Sequence, residues 1–138
     1  MPRKDSIHDA VKNALIKDGW TITADPYTIR YERMRLYADL EAEHSIIAER
    51  AGSRIVVEIK SFPGQSRFKD FQDAVGQYVV YRAFLRQINP DYRLLLAVSD
   101  RIYDRFLTRS EVQVVVEDVD LGFLVVSLDR EEIIRWTR

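Results

Sequence analysis

Along Arg54-Ile55-Val56-Val57-Glu58-Ile59-Lys60 the side chains alternate with period two. Ile55, Val57 and Ile59 fall on one side, and Val56, Glu58 and Lys60 on the other. β-Branched residues dominate, so the stretch reads as a strand, apolar enough to be central. A carboxylate and an ammonium nevertheless share one of its faces. Burying either alone is costly, so this end of the strand either opens onto water or holds a paired or metal-bound site.

The same reading assigns the other elements. Asp5-Ser6 opens a helix, with Ser6 and Asp9 spaced as a capping box and Ile7, Ala10, Val11, Ala14 and Leu15 as its apolar stripe. Gly19 stops it, extended structure begins at Trp20, and Tyr27 to Tyr31 forms a short strand. Met34 to Glu41 alternates again, setting Arg35, Tyr37, Asp39 and Glu41 on one side. Ser45 to Glu49 and a turn at Ala51-Gly52-Ser53 lead into the central strand, which places Asp39 and Glu58 on neighbouring strands of an antiparallel meander. Phe62-Pro63-Gly64 ends it. Ser66 caps a long helix reaching Ile88, whose buried face is expected from Phe68, Phe71, Val75, Tyr78, Val79 and Leu85. Gln77 and Tyr81 stand one turn apart on it, and Gly76 inside it is expected to permit close packing.

Tyr92 to Val98 is a continuous apolar run, as in a strand covered on both faces. Asp100 caps a brief helix through Leu107. Ser110 to Val119 fits a helix by Val112, Val115, Val116 and Val119, or a strand by Val112, Val114 and Val116; the helix is preferred. Gly122 to Leu128 and Ile133 to Trp136 close the chain as a hairpin. The order predicts one α/β domain over residues 1–138, a mixed sheet flanked by helices.

Composition narrows the chemistry. With 21 basic and 22 acidic side chains the net charge is −1, so nucleic-acid contact must come from a local patch, for which Arg35, Arg67 and Lys69 are candidates. There is no cysteine, hence no disulfide or thiolate site. No apolar signal core or run of ~20 apolar residues appears, so a reducing, cytoplasmic setting and no membrane partner are expected. His8 reads as an exposed first-turn residue and His44 as a loop residue, neither at zinc-site spacing. The five glycines never cluster into a phosphate-cradling loop.

Asp39, Glu58 and Lys60 remain. Two carboxylates from adjacent strands can clamp a hard cation such as Mg²⁺ (or Mn²⁺) through oxygen ligands, with the Ile59 carbonyl as a further oxygen. A lysine two residues on, on the same strand face, can orient or deprotonate water, or neutralise charge on a pentavalent phosphorane. Alternating charges on a solvated strand edge look the same, and Gln77 and Tyr81 are equally explained by helix packing.

Ala38-Asp39, then Glu58-Ile59-Lys60, then Gln77 with Tyr81, resemble the PD-(D/E)xK nuclease superfamily. The whole chain is more closely similar to the XisH family, the cyanobacterial fdxN element excision controlling factors, through stretches such as His8-Asp9-Ala10-Val11-Lys12-Asn13-Ala14-Leu15, Leu36-Tyr37-Ala38-Asp39-Leu40, Val57-Glu58-Ile59-Lys60-Ser61-Phe62, Gly76-Gln77-Tyr78 and Ile134-Arg135-Trp136. The resemblance implies a restriction-endonuclease-like fold and a role in excising a DNA element beside a recombinase and a small partner, XisI. By position it makes Asp39 and Glu58 metal ligands, Lys60 the catalytic lysine, and Gln77 the residue that orients water or the backbone phosphate.

Two departures stand out. Ala38 replaces the motif's proline, a position that shapes a turn. Glu41 stands where close relatives carry glycine, as an extra ligand or an unwanted negative charge. Asp9 or Asp5 could serve as the supporting acid of the first helix, though capping explains both. The expectations are a Mg²⁺-dependent DNA endonuclease, with a homodimer as one assembly, or a catalytically silent scaffold that binds DNA or an XisI-like protein.

Overall fold

The computed structural model describes residues 3–25, 27, 29–32, 34–36 and 44–137. Its core is a six-stranded mixed sheet in the order β1-β4-β5-β6-β7-β8. These strands are β1 (Thr21–Ala24), β4 (His44–Arg50), β5 (Ser53–Ile59), β6 (Arg93–Ser99), β7 (Phe123–Ser127) and β8 (Glu132–Thr137). β5, β6 and β7 are parallel, while β1, β4 and β8 extend the edges in antiparallel fashion. Parallel neighbours need a crossover. Helix α2 (Arg67–Ile88) joins β5 to β6; α3 (Asp100–Ile102), a π-helical turn (Tyr103–Leu107) and α4 (Ser110–Val119) join β6 to β7.

Strand alternation sorts the core into two layers. Ile55, Val57, Ile59, Leu95, Ala97, Leu124 and Val126 face α1 (Arg3–Lys17), whose Ile7, Val11, Ala14 and Leu15 are buried against them. Val56, Leu94, Leu96, Val98, Phe123 and Val125 face α2 and α4. The apolar stripe of α1 is therefore the one expected, but the helix starts at Arg3, which puts Ser6 inside its first turns and not ahead of them. At its other end Gly19, at φ +92°, lets Gly19 and Trp20 return hydrogen bonds to Ile16 and Leu15, satisfying carbonyls of the last turn.

Further expectations are corrected. The strand of Met34 to Glu41 is described as β3 (Met34–Leu36), and it pairs with β2 (Ile29–Tyr31) in a separate two-stranded sheet. The strands beside β5 are β4 and β6. β4 reaches β5 through a two-residue turn, Ala51-Gly52, with φ +51° and +85°, and β3 is closed onto β2 across an equally short connection, Tyr31 opposite Met34. Residues 37–43, with Asp39 and Glu41, lie outside the described residues.

On α2 the buried residues are Phe71, Ala74, Tyr78, Tyr81 and Leu85, spaced three and four apart. Phe68 and Val79 flank that line and are exposed, and Val75 is half-buried. A Cβ on Gly76 would meet no described atom within 4 Å, so close packing does not explain that glycine.

Ser99, not Asp100, caps α3, its hydroxyl accepting from the Ile102 N–H at 3.2 Å. Finally, His44 opens β4 and is not in a loop, and His8 is nearly buried. Its Nε2 meets Asp25 at 3.0 Å, and Lys12 reaches the same carboxylate at 2.8 Å. The preferred helix at Ser110 to Val119, the closing hairpin and the Ser66 cap of α2 appear as read.

Candidate active site

Glu58 is the buried acid of the described residues, 1% exposed, on the α2 side of β5 between Ser45 of β4 and Leu96 of β6. It shares that side with Val56 because both are even steps along one strand. Lys60 lies one residue past β5, yet its N–H still donates to the Ala97 carbonyl at 3.0 Å, so the strand alternation carries through to it. The Lys60 ammonium stands 3.8 Å from the Glu58 carboxylate and donates to Gln77 Oε1 on α2. A buried carboxylate needs compensating charge, and the lysine supplies it. Gln77, which has no charge to neutralise, fixes where the ammonium points.

The loop between β5 and α2 holds the helix in place. Phe62 is buried against Phe106, ring centroids 6.2 Å apart, at φ +54°. The Gly64 N–H donates to Asp70 at 2.7 Å, and a Cβ on Gly64 would come within 2.6 Å of that carboxylate. Only glycine permits the approach. Ser66 and Asp70 then start α2 at the position that delivers Gln77 to Lys60. Beside the pair opens a cleft of about 530 Å³, lined by Lys60, Ser61, Pro63, Asp70, Asp73 and Gln77. Lys60 is thus part-buried at the lip of this cleft.

The other candidates are placed differently. Ile59 ends β5, its side chain in the α1 layer and its backbone in register with His44 and Ala97. Tyr81, one turn beyond Gln77, is in the core. Asp9 is 72% exposed on α1, the helix that covers the opposite side of the sheet from Glu58. Arg35 is on β3, in the separate two-stranded sheet. Arg67 and Lys69 are exposed on the first turn of α2, with Lys69 meeting Asp73 at 3.3 Å. Sequence reasoning overlooked Asp70 and Asp73 in the cleft wall, since acids near a helix start are ordinarily explained by the helix dipole.

Among the described residues no three His, Cys, Asp or Glu side chains gather as a metal-binding group. Glu58 fits one ligand position for a hard cation: an oxygen donor, buried, at the end of a strand beside a cleft. Any second carboxylate from Asp39 or Glu41 lies outside the described residues.

A model of the XisH protein family matches residues 1–134. The chain belongs to the XisH family. It is similar to the crystal structure of an XisH family protein from Nostoc punctiforme, at 36% identity over 97% of this chain and 100% of that one, with a TM-score of 0.89. It is also similar to the crystal structure of an fdxN element excision controlling factor protein from Anabaena variabilis, at 38% identity, 97% and 99% coverage and a TM-score of 0.88. No curated protein matches the sequence. No helix of the described residues is long and apolar enough to cross a membrane.

Proposed function

We propose that this XisH family chain is an excision controlling factor of the fdxN type that works as a divalent-metal-dependent DNA endonuclease of the PD-(D/E)xK kind. The observation that carries the reading is Glu58 and Lys60 on one side of β5, with Lys60 held by Gln77 at the lip of a cleft. In this reading Asp39, Glu58 and the Ile59 carbonyl hold Mg²⁺ or Mn²⁺. When bound, the cation supplies Lewis-acid polarisation of a phosphate and favours ionisation of water.

The chain's own residues do the rest. Lys60 donates to an oxygen of the scissile phosphate and stabilises the negative charge that grows there as water attacks. Gln77 keeps the ammonium aimed, so that little reorganisation is needed. Glu58, buried under the sheet and α2, keeps the Lys60 ammonium 3.8 Å away, at the lip of the cleft where the phosphate arrives.

The test is cutting of DNA by the purified protein with Mg²⁺ or Mn²⁺. Lys60→Ala should lower the rate by at least about a hundredfold, the scale of a lost charge-stabilising group, while circular dichroism stays native. Cutting that survives both Lys60→Ala and Asp39→Ala overturns the reading.

Asp70 and Asp73 in the cleft wall, on a chain of net charge −1, favour a second reading: a scaffold that binds an XisI-like partner carrying the basic surface DNA requires. Co-purification with such a partner, together with calorimetry showing no divalent-metal binding, would select it.

A further inference from the structure

Three arginines line one cleft at the other end of the sheet, with Arg93 shared between it and a neighbouring cleft. Arg93 opens β6, and Arg82 and Arg86 lie one turn apart on the C-terminal half of α2. With Tyr92 and Asp120 they line a cleft of about 340 Å³. β5 and β6 are parallel, with Ile55 beside Arg93 and Ile59 beside Ala97. Four residues at ~3.3 Å each therefore set this cleft ~13 Å from the Lys60 end. The run of α2 from Gln77 to Arg86, at ~1.5 Å per residue, gives nearly the same separation. The two clefts are distinct.

Arg82 is fixed in place. Its Nη1 donates to the carbonyls of Val119 at 2.9 Å and Asp120 at 3.2 Å, ending α4, and its guanidinium lies 5.2 Å from the Tyr78 ring centroid. That cap leaves its Nε and Nη2 donors unused. Arg86 and Arg93 are exposed, and neither forms an ion pair with a described residue. The Tyr78 hydroxyl is already satisfied, donating to the Leu94 carbonyl at 2.9 Å and accepting from the Gly122 N–H at 3.2 Å. Arg82, Arg86 and Arg93 thus line the cleft with one carboxylate-bearing residue, Asp120. Like charges held together without counter-charge repel one another, and an anion in the cleft removes that cost. Guanidinium forks match the oxygens of a phosphate in pairs.

We propose that this cleft binds a phosphate group, carried either by a nucleic-acid backbone or by a free phosphorylated molecule. The proposal stands whether or not Glu58 and Lys60 cut DNA. It is tested by titrating the wild type and the Arg86→Gln/Arg93→Gln variant with pyrophosphate by calorimetry. A labelled DNA duplex without divalent metal, across a range of salt, provides the second probe. Both positions are on the surface, and Arg86→Glu alone gives a second variant should the double one fold poorly.

At least one probe should bind the variant about tenfold or more weakly, the scale of lost charge-assisted hydrogen bonds. For the duplex, log affinity against log salt should become shallower by about two. Loss with the duplex alone identifies a nucleic-acid backbone as the source, and loss with pyrophosphate identifies a free phosphoryl group. Wild-type protein that binds neither probe, or variants that bind both unchanged, overturns the proposal.

Discussion

The side of the sheet under α1 and the side under α2 and α4 are built from alternate residues of the same strands, yet they differ in kind. Under α1, β5 contributes Ile55, Val57 and Ile59 to a continuous apolar layer. The polar side chains at that layer, His8, Lys12 and Asp25, sit between α1 and the turn after β1, at its rim. Under α2, the same strand contributes Val56 and then Glu58, with Lys60 just beyond, and a cleft opens at either end. An apolar layer on one side can hold a strand rigid while its other side carries groups that are costly to bury. The α1 side is apolar throughout, and the α2 side carries a buried charge pair within its core.

The comparison is sharpest where a change strikes one side alone. Leu15→Ala removes a side chain that is 0% exposed in the α1 layer. It should cost about 2–5 kcal/mol in denaturant unfolding, as large-to-small core changes do. Metal-dependent cutting per folded molecule should stay at the wild-type level in the cold. A fall in that specific rate, larger than the unfolded fraction explains, would show that the two sides are not separable.

Gly76→Ala is a smaller change on the α2 side, in the opposite direction. Its Cβ meets open space and its φ is ordinary for a helix, so the variant should be more stable by about 0.5–1 kcal/mol. Destabilisation by chemical denaturation would mean that the cleft beside Lys60, which Gly76 lines, is occupied in solution.

The smallest effect belongs to the rim of the α1 layer and appears only in acid. Burial pushes the Asp25 carboxyl up, but hydrogen bonds from Lys12 and His8 outweigh it and leave it below its ordinary value. A carboxyl held lower in the folded state than in the unfolded one stabilises fully above the unfolded value of about 4. That contribution is lost as pH falls through the folded value. The stability difference between wild type and Asp25→Asn should therefore be constant at neutral pH and shrink below about pH 4. A difference that persists unchanged in strong acid would exclude the linkage.

Much of this division was legible in the sequence. Period two assigned Glu58 and Lys60 to one side of β5 without reference to any partner strand, and Ser66 and Gly19 marked helix ends through their own preferences. Gln77 was named only through the resemblance to the PD-(D/E)xK pattern, since its own position is equally explained by helix packing. What was not legible depends on partners. Nothing local in Met34-Arg35-Leu36 says that it pairs with β2 instead of entering the main sheet. The true buried line of α2 includes Ala74 and Tyr81 over the more hydrophobic Val79, because the position of the sheet, not hydropathy, decides which side is covered. His8 looked like a surface residue until β1 brought Asp25 to it.

The parallel pairing of β5 with β6 also governs when the Glu58–Lys60 centre comes into being. β4 and β5 can meet as soon as they leave the ribosome, through a turn of two residues, but Leu96 and Gln77 arrive with the crossover, tens of residues later. At about 5–20 residues per second the carboxylate and the ammonium spend seconds fully hydrated on a bare strand. Until that crossover has been made, Glu58 and Lys60 lack the neighbours that bury and orient them in the folded protein.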